Sequence, residues 1–250
     1  MKCGKPSLHS SIVIVIFLLF FIHSWSFSMI YDILTLHRTY FKLDEQRHLF
    51  PYIKDGNRFY EVEEAVHHPI RQFDTAKTML VIMDPWNEVG DERLNTNSRN
   101  IFYAKLLPLA KKMIELGFPA IVLTNAKDKD GYGYDIFPEL KELAAQGKLQ
   151  ILYHSEHKPE AFAADLKAKG ITSLVYCGFN TNMCVIGRPL GIIRMVHEGF
   201  RIFFVPDAAA AIEHKETWED QGLHKAVTMV LSQWAAELID VDDVLKLERK

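Results

Sequence analysis

The sequence predicts an α/β protein, a three-layer α/β/α sandwich around a mainly parallel, doubly wound sheet. Three observations predict it. Five short, mainly apolar runs alternate with amphipathic stretches of helical period. The apolar runs do not alternate with polar residues, so they read as strands buried on both faces, the mark of a parallel sheet covered by helices. Residues able to do chemistry stand at the ends of these runs, and right-handed crossovers bring all such ends to one edge of the sheet, where ligands bind in open α/β folds. With 250 residues, 48% of them hydrophobic, the chain is large enough for one sizeable core.

In chain order, Lys2 and Lys5 precede an unbroken apolar run from Ile12 to Ile22, followed by Ser24, Ser26 and Ser28. This is the layout of a secretory signal peptide over residues 1–28, with export to the periplasm or outside the cell as its consequence. The run is short of the roughly 20 residues that span a bilayer. Counting on to Ile30 gives the alternative, an uncleaved membrane anchor, and contact with a membrane is expected only in that case. Residues 29–77 read as an N-terminal extension packing on the domain. It has possible strands at Asp32–Thr39 and Asn57–Glu61 and a turn at Lys54-Asp55-Gly56-Asn57.

The main domain is expected over residues 78–250. Its first strand, Thr78–Met83, ends at Asp84 before Pro85. A helix is predicted over Arg99–Leu116, where Leu106, Ala110, Met113 and Leu116 share a face and Gly117 supplies the stop. Strands follow at Pro119–Thr124 and Leu149–His154, separated by a glycine-containing loop and a short helix, Phe137–Gln146. A helix over Pro159–Lys169 leads to the fourth strand, which stops at Gly178. Beyond a polar turn, a helix is predicted from Cys184 to Glu198. The fifth strand is Arg201–Pro206. A long helix over Glu216–Trp234, with Leu223, Val227, Val230 and Trp234 on one face, and an edge strand at Ala236–Ile239 complete the chain.

Composition excludes some classes of function. The net charge is −3 from 29 basic and 32 acidic residues, well mixed, with no basic or aromatic-basic stripe, so no nucleic-acid partner is expected. Cys3, Cys177 and Cys184 make neither a disulfide framework nor a metal-ligand pattern. On the residues alone, Cys184 has two readings. It is a small buried hydrophobe, or it is a nucleophile whose thiol is made more acidic by the N–H groups of a helix start.

The residues Tyr176-Cys-Gly-Phe-Asn-Thr-Asn-Met-Cys-Val185, the acid ending Leu80-Val-Ile-Met-Asp84, and Glu198-Gly-Phe-Arg-Ile-Phe-Phe-Val-Pro-Asp-Ala-Ala-Ala resemble three ordered motifs of the isochorismatase-like cysteine hydrolases. That family includes nicotinamidases and N-carbamoylsarcosine amidases, and the resemblance runs from Thr78 to the C-terminus. It implies a hydrolase cleaving a C–N bond (amide, carbamoyl or ureide) of a small molecule through a thioester on Cys184. Asp84 would be the general base. The backbone N–H groups of Asn180 and Cys184 would form an oxyanion hole, each worth about 3 kcal/mol, and Phe179–Asn180 would be a non-proline cis peptide. Trp86, Phe179 and Thr181 would wall the pocket. No cofactor is implied. Residues 85–135 hold no histidine, so the metal site of nicotinamidase-type members is not expected. A homo-oligomer is, with Glu216–Trp234 as one contact surface.

The family's lysine is the point of departure. Its strand-end position reads Tyr153-His154-Ser155-Glu156, and the nearest lysine is Lys158. Either Lys158 completes the catalytic set from a shortened loop, or His154 substitutes for it, which would tie activation to pH near neutrality. Two other functions stay open. One is an enol-ether hydrolase of the isochorismatase type that uses Asp84 without the thiol. The other is an inactive binding protein on the same fold.

Overall fold

The computed structural model describes residues 28–42, 51–125 and 134–248. The expected leader and most of the glycine-containing loop lie outside the described residues. Among the described residues, no helix is long and apolar enough to cross a membrane.

The N-terminal extension is a nested antiparallel ribbon. β1 (Ile30–Leu34) pairs with β6 (Ile70–Asp74), β2 (His37–Phe41) with β5 (Val62–His67), and β3 (Pro51–Lys54) with β4 (Asn57–Tyr60). The innermost hairpin turns at Asp55-Gly56, as its composition predicts. The returning strands β5 and β6 were not expected, because Glu63, Glu64, Arg71 and Gln72 dilute their apolar pattern.

Six parallel strands form the main sheet: β7 (Thr78–Met83), β8 (Ala120–Thr124), β9 (Gln150–Tyr153), β10 (Ser173–Phe179), β11 (Arg201–Ala210) and β12 (Glu237–Leu238). Their order is β12-β11-β10-β7-β8-β9. The chain therefore winds outward in one direction from β7, returns to β10, and winds outward in the other. The crevice between β7 and β10 is the switch point, where open α/β sheets bind their ligands.

The strands divide their side chains between two cores. Leu80, Ile82, Val122, Val175, Cys177 and Phe203 pack against a layer that includes Phe102, Leu106, Leu109, Met113, Phe137 and Leu140. Val81, Met83, Ile121, Leu123, Tyr176 and Phe204 pack against Phe162, Leu166, Ile192, Met195 and Leu231. Burial on both faces confirms the three-layer reading.

The helices are α1 (Glu92–Ile101), α2 (Leu107–Glu115), α3 (Pro138–Ala145), α4 (Pro159–Ala168), α5 (Ile192–His197), α6 (Gly222–Trp234) and α7 (Val241–Leu245). Three differ from expectation. The first begins seven residues before Arg99, because Asp91 caps it by accepting from the N–H groups of Arg93 and Leu94, and a π-helical segment over Phe102–Leu106 joins α1 to α2. The helix expected over Cys184–Glu198 is broken. A five-residue π-helical turn, Thr181–Val185, carries the cysteine, and α5 starts only after Pro189, which has no N–H to continue a helix. The last long helix starts at Gly222 rather than Glu216, and Val230 and Trp234 on its expected inner face are about half exposed, at 50% and 49%.

The extension is built into the domain. Tyr31, Ile33 and Phe73 belong to the first core, and the Phe73 and Phe203 rings lie 4.4 Å apart. Leu36 and Leu238 exchange backbone hydrogen bonds of 2.9 and 2.7 Å at the sheet edge. Beneath them, the fully buried Glu237 of β12 accepts hydrogen bonds from Arg71 (2.8 Å) and Thr35 (2.6 Å) of the extension, and from Arg201 (2.6 Å) of β11. Burial alone would raise its pKa, but these donors and the Arg201 charge outweigh it and hold the carboxyl at about 2. A carboxylate whose folded pKa lies below its unfolded value stabilises the fold fully above about pH 4.5 and progressively less as the pH falls to 2. A shift of this size is worth roughly 3 kcal/mol. Urea titrations between pH 6 and pH 3 are expected to show that loss, and Glu237→Gln is expected to flatten it while lowering stability at pH 6. A wild-type acid limb unchanged in Glu237→Gln would place the dependence elsewhere.

Candidate active site

Asp84 directly follows β7 at the switch point. Its backbone N–H donates to Leu123 O (2.8 Å) and its carbonyl accepts from Trp86 N–H (2.8 Å). Its φ of 40° lies in the left-handed region, which Asp tolerates better than most residues. The carboxylate is fully buried. It reaches that position because β10 comes extremely close at Gly178, whose φ is 107°. A Cβ on Gly178 would lie 2.2 Å from Met83 O and 2.7 Å from Met83 N, so only glycine lets the two strands meet there.

Past Gly178, the Phe179–Asn180 peptide is cis, and the π-helical turn follows. Both of its first two side chains are tied down. Thr181 Oγ1 lies 2.9 Å from His224 Nδ1 at the start of α6. Asn182 Nδ2 donates to Ile212 O (3.1 Å), and Ile212 N–H returns a bond to Asn182 Oδ1 (3.0 Å). Burial holds His224 below the usual histidine range, which keeps its Nδ1 able to accept from Thr181.

Cys184, 9% exposed, stands close enough to Asp84 and to the Asn180 N–H for both to act on its thiol. The acidic thiol expected from a helix start is not what forms here. Burial, then the charge and hydrogen bond of Asp84, push the thiol up to about 12, against the opposing pull of the Arg188 charge and the Asn180 N–H. The five-residue turn has no long helix behind it to supply a dipole. At neutral pH the proton thus sits on sulfur beside a carboxylate able to take it, the ground state of a base-assisted nucleophile.

Two donors hold the other lone pairs of Asp84. His154 Nε2 lies 3.1 Å from Oδ1 and Arg188 Nε lies 3.2 Å from Oδ2. A carboxylate offers about four acceptor sites, so both donors and the thiol proton can be accommodated together. His154 follows β9, 8% exposed, in a single 3-10 turn, His154–Glu156. Its Nδ1 is buried and has no hydrogen-bond partner among the described residues.

The structure therefore brings Asp84, His154 and Cys184 together, with Asn180 beside them. Lys158 is elsewhere: the 3-10 turn closes β9, and Lys158 is the exposed cap residue of α4. Trp86 lines a cavity of about 590 Å³ together with Asn180, Asn182, Met183, Cys184, Ile186 and Arg188. Its Nε1–H donates to Thr124 Oγ1 (2.9 Å), which fixes the ring. The other two expected wall residues do not line it. Phe179 is buried in the first core, and Thr181 is fully buried against His224.

Arg188 is the residue that the sequence reading missed. Its backbone N–H donates to Cys184 O (3.2 Å), one helical turn on, and that spacing was the available signal. Among the described residues, no group of three or more His, Cys, Asp or Glu side chains is placed to hold a metal ion.

Residues 78–243 match the family model of the isochorismatase domain. No curated protein matches the chain. Among solved structures, the chain is similar to a cysteine hydrolase of Pseudomonas syringae pv. phaseolicola, with a TM-score of 0.55 and 14% identity over 70% of this chain and 93% of that one. It is also similar to the nicotinamidase of Staphylococcus aureus (TM-score 0.49, 14% identity, 65% and 96% covered) and to the N-carbamoylsarcosine amidase of Thermoplasma acidophilum (0.46, 19%, 66% and 97%). At these identities the likeness is one of fold.

Proposed function

The chain belongs to the isochorismatase domain family of hydrolases, and from that premise we propose that it cleaves a C–N bond of a small carboxamide, carbamoyl or ureide compound through a thioester on Cys184. The observation that carries this reading is the Cys184 thiol beside the buried Asp84 carboxylate, close enough for that carboxylate to act on it, at the switch-point crevice.

The chemistry follows from that pair. As sulfur attacks the carbonyl carbon, the thiol proton passes to Asp84, the C–S bond forms, and the carbonyl oxygen becomes an oxyanion facing the N–H groups of Asn180 and Cys184. Collapse breaks the C–N bond, and Asp84 returns the proton to the departing nitrogen. A water then attacks the thioester while Asp84 takes one of its protons. The C–S bond breaks, the acid leaves, and the proton goes back to sulfur. Every proton moves through Asp84, and no cofactor is required.

The apolar surface supports a homo-oligomer. Leu34 and Ile70, paired across the ribbon, are 47% and 67% exposed, and Met229, Val230 and Trp234 of α6 are about half exposed. The basic and apolar start of the sequence supports export by a signal peptide.

The test is intact-mass analysis after rapid quenching with a panel of small amides, carbamoyl compounds and ureides. A substrate of this enzyme is expected to leave an acyl adduct on Cys184 that decays with turnover, and Cys184→Ser is expected to lose both. Turnover that persists unchanged in Cys184→Ser would favour the enol-ether reaction, and ligand-induced stabilisation without any turnover would favour a binding protein.

A further inference from the structure

When Asp84 and Cys184 share one proton, the pair is a buried negative charge that needs a balancing cation. His154 is poorly placed to be that cation. Its Nε2 faces Asp84, and a second N–H, at Nδ1, would be buried with no acceptor among the described residues. An unsatisfied buried donor costs about 1–3 kcal/mol. The geometry thus makes His154 a hydrogen-bond donor to Asp84 through Nε2. Lys158, exposed at the start of α4, makes no hydrogen bond to Asp84 either.

Arg188 is different on every count. It is charged at all working pH values. Its Nε is 3.2 Å from Asp84 Oδ2 and its side chain is 20% exposed. Its backbone is bonded to the carbonyl of the nucleophile itself. It lines the same cavity as Cys184 and Trp86, and its charge acts on the thiol in the direction that favours thiolate. Pro189 ends the helical path just after it and holds the residue at the rim of the crevice.

We propose that Arg188 is the catalytic cation of this site. Fixed on Asp84 through Nε, its guanidinium holds the carboxylate–thiol pair as a monoanion and stabilises the negative charge as it moves from oxygen to sulfur. His154 is then a positioning residue that fixes the orientation of the carboxylate. The inference rests on the Cys184 nucleophile, and it moves the permanent charge from the strand end to the turn of helix that carries the nucleophile. Two titratable or charged side chains hydrogen-bond to Asp84, His154 through Nε2 and Arg188 through Nε.

The test uses iodoacetamide as the probe, so no substrate need be known. Labelling of Cys184 in the full-length protein is followed by mass spectrometry between pH 5 and 9. Cys177 is fully buried and serves as an internal check that the fold is intact, since it should stay unlabelled. The wild-type thiol, pushed up to about 12, is expected to label slowly at neutral pH and faster as the pH rises. A Cys184 that takes no label by pH 9 in the folded protein would sink the nucleophile reading before any variant is made. Given a reactive wild type, Arg188→Gln, which keeps polarity and removes charge, is expected to move the acid limb up by about one pH unit and to slow labelling on that limb about tenfold. Arg188→Lys, which keeps the charge, is expected to stay within about threefold of wild type. An Arg188→Gln profile that matches wild type overturns the proposal. So does an Arg188→Lys loss greater than threefold, and this second variant decides alone if Arg188→Gln does not fold.

Discussion

Asp84→Asn is expected to lower turnover by about a hundred- to ten-thousand-fold, the range over which a positioned general base acts. The substitution is nearly isosteric. The amide oxygen can still accept from one of Arg188 and His154, but the group can no longer take the thiol proton. A second effect runs the opposite way. Burial comes first among the causes that push the thiol up to about 12, and the Asp84 charge and hydrogen bond add to it. Removing the carboxylate charge lets the thiol fall back towards its ordinary 9. Thiolate absorbance should therefore appear at lower pH in Asp84→Asn even as turnover collapses. A merely misfolded site would not separate these two readouts. Wild-type turnover in the variant would remove Asp84 from the mechanism.

The other large effect is expected at a residue with no side chain. Gly178→Ala would place a Cβ 2.2 Å from Met83 O and 2.7 Å from Met83 N, at a φ of 107°. The obstructing atoms are backbone of the central strand, so no rotamer change relieves the clash. Left-handed strain costs about 1–3 kcal/mol and overpacking a similar amount, so a loss of roughly 3–6 kcal/mol is expected. The strands must separate at the point where one carries Asp84 and the other leads to Cys184, so activity should fail even where the protein remains folded. Gly199→Ala is the control. Its φ is 85°, but nothing lies within 4 Å of the added carbon, and a cost near 1 kcal/mol with activity retained is expected. Equal effects at the two positions, read by thermal unfolding and turnover, would show that conformation rather than close approach decides.

The sheet was legible because its strands are continuous apolar runs bounded by Gly, Pro or Asp. Thr78–Met83 and Ala120–Thr124 emerged within a residue or so of their predicted limits. Asp84 and Cys184 were legible because each sits at a strand end or in a turn with a distinctive residue pattern. The cation was not. A basic side chain four residues past a cysteine is common on any helix, and only the approach of β7 to β10 makes Arg188 a neighbour of Asp84. Lys158 was misplaced because residue spacing does not reveal that a 3-10 turn ends β9 at His154. The outward face of α6 was read as core for a related reason. Periodicity reports that Val230 and Trp234 share a stripe, but not whether anything in the same chain covers it. The ribbon's returning strands were obscured by charged residues that an edge-exposed strand tolerates.

The Glu237 cluster bears on where this protein can be cut. The family match begins at residue 78, yet two of the donors that make a buried carboxylate tolerable, Arg71 and Thr35, lie before it. A fragment starting at that homology border would lose two of the donors that hold Glu237 and would lose Tyr31, Ile33 and Phe73 from its core as well. The border drawn by descent thus cuts through shared core and shared hydrogen bonds, and a version starting at Ser28 is expected to unfold at a higher temperature than one starting at Thr78.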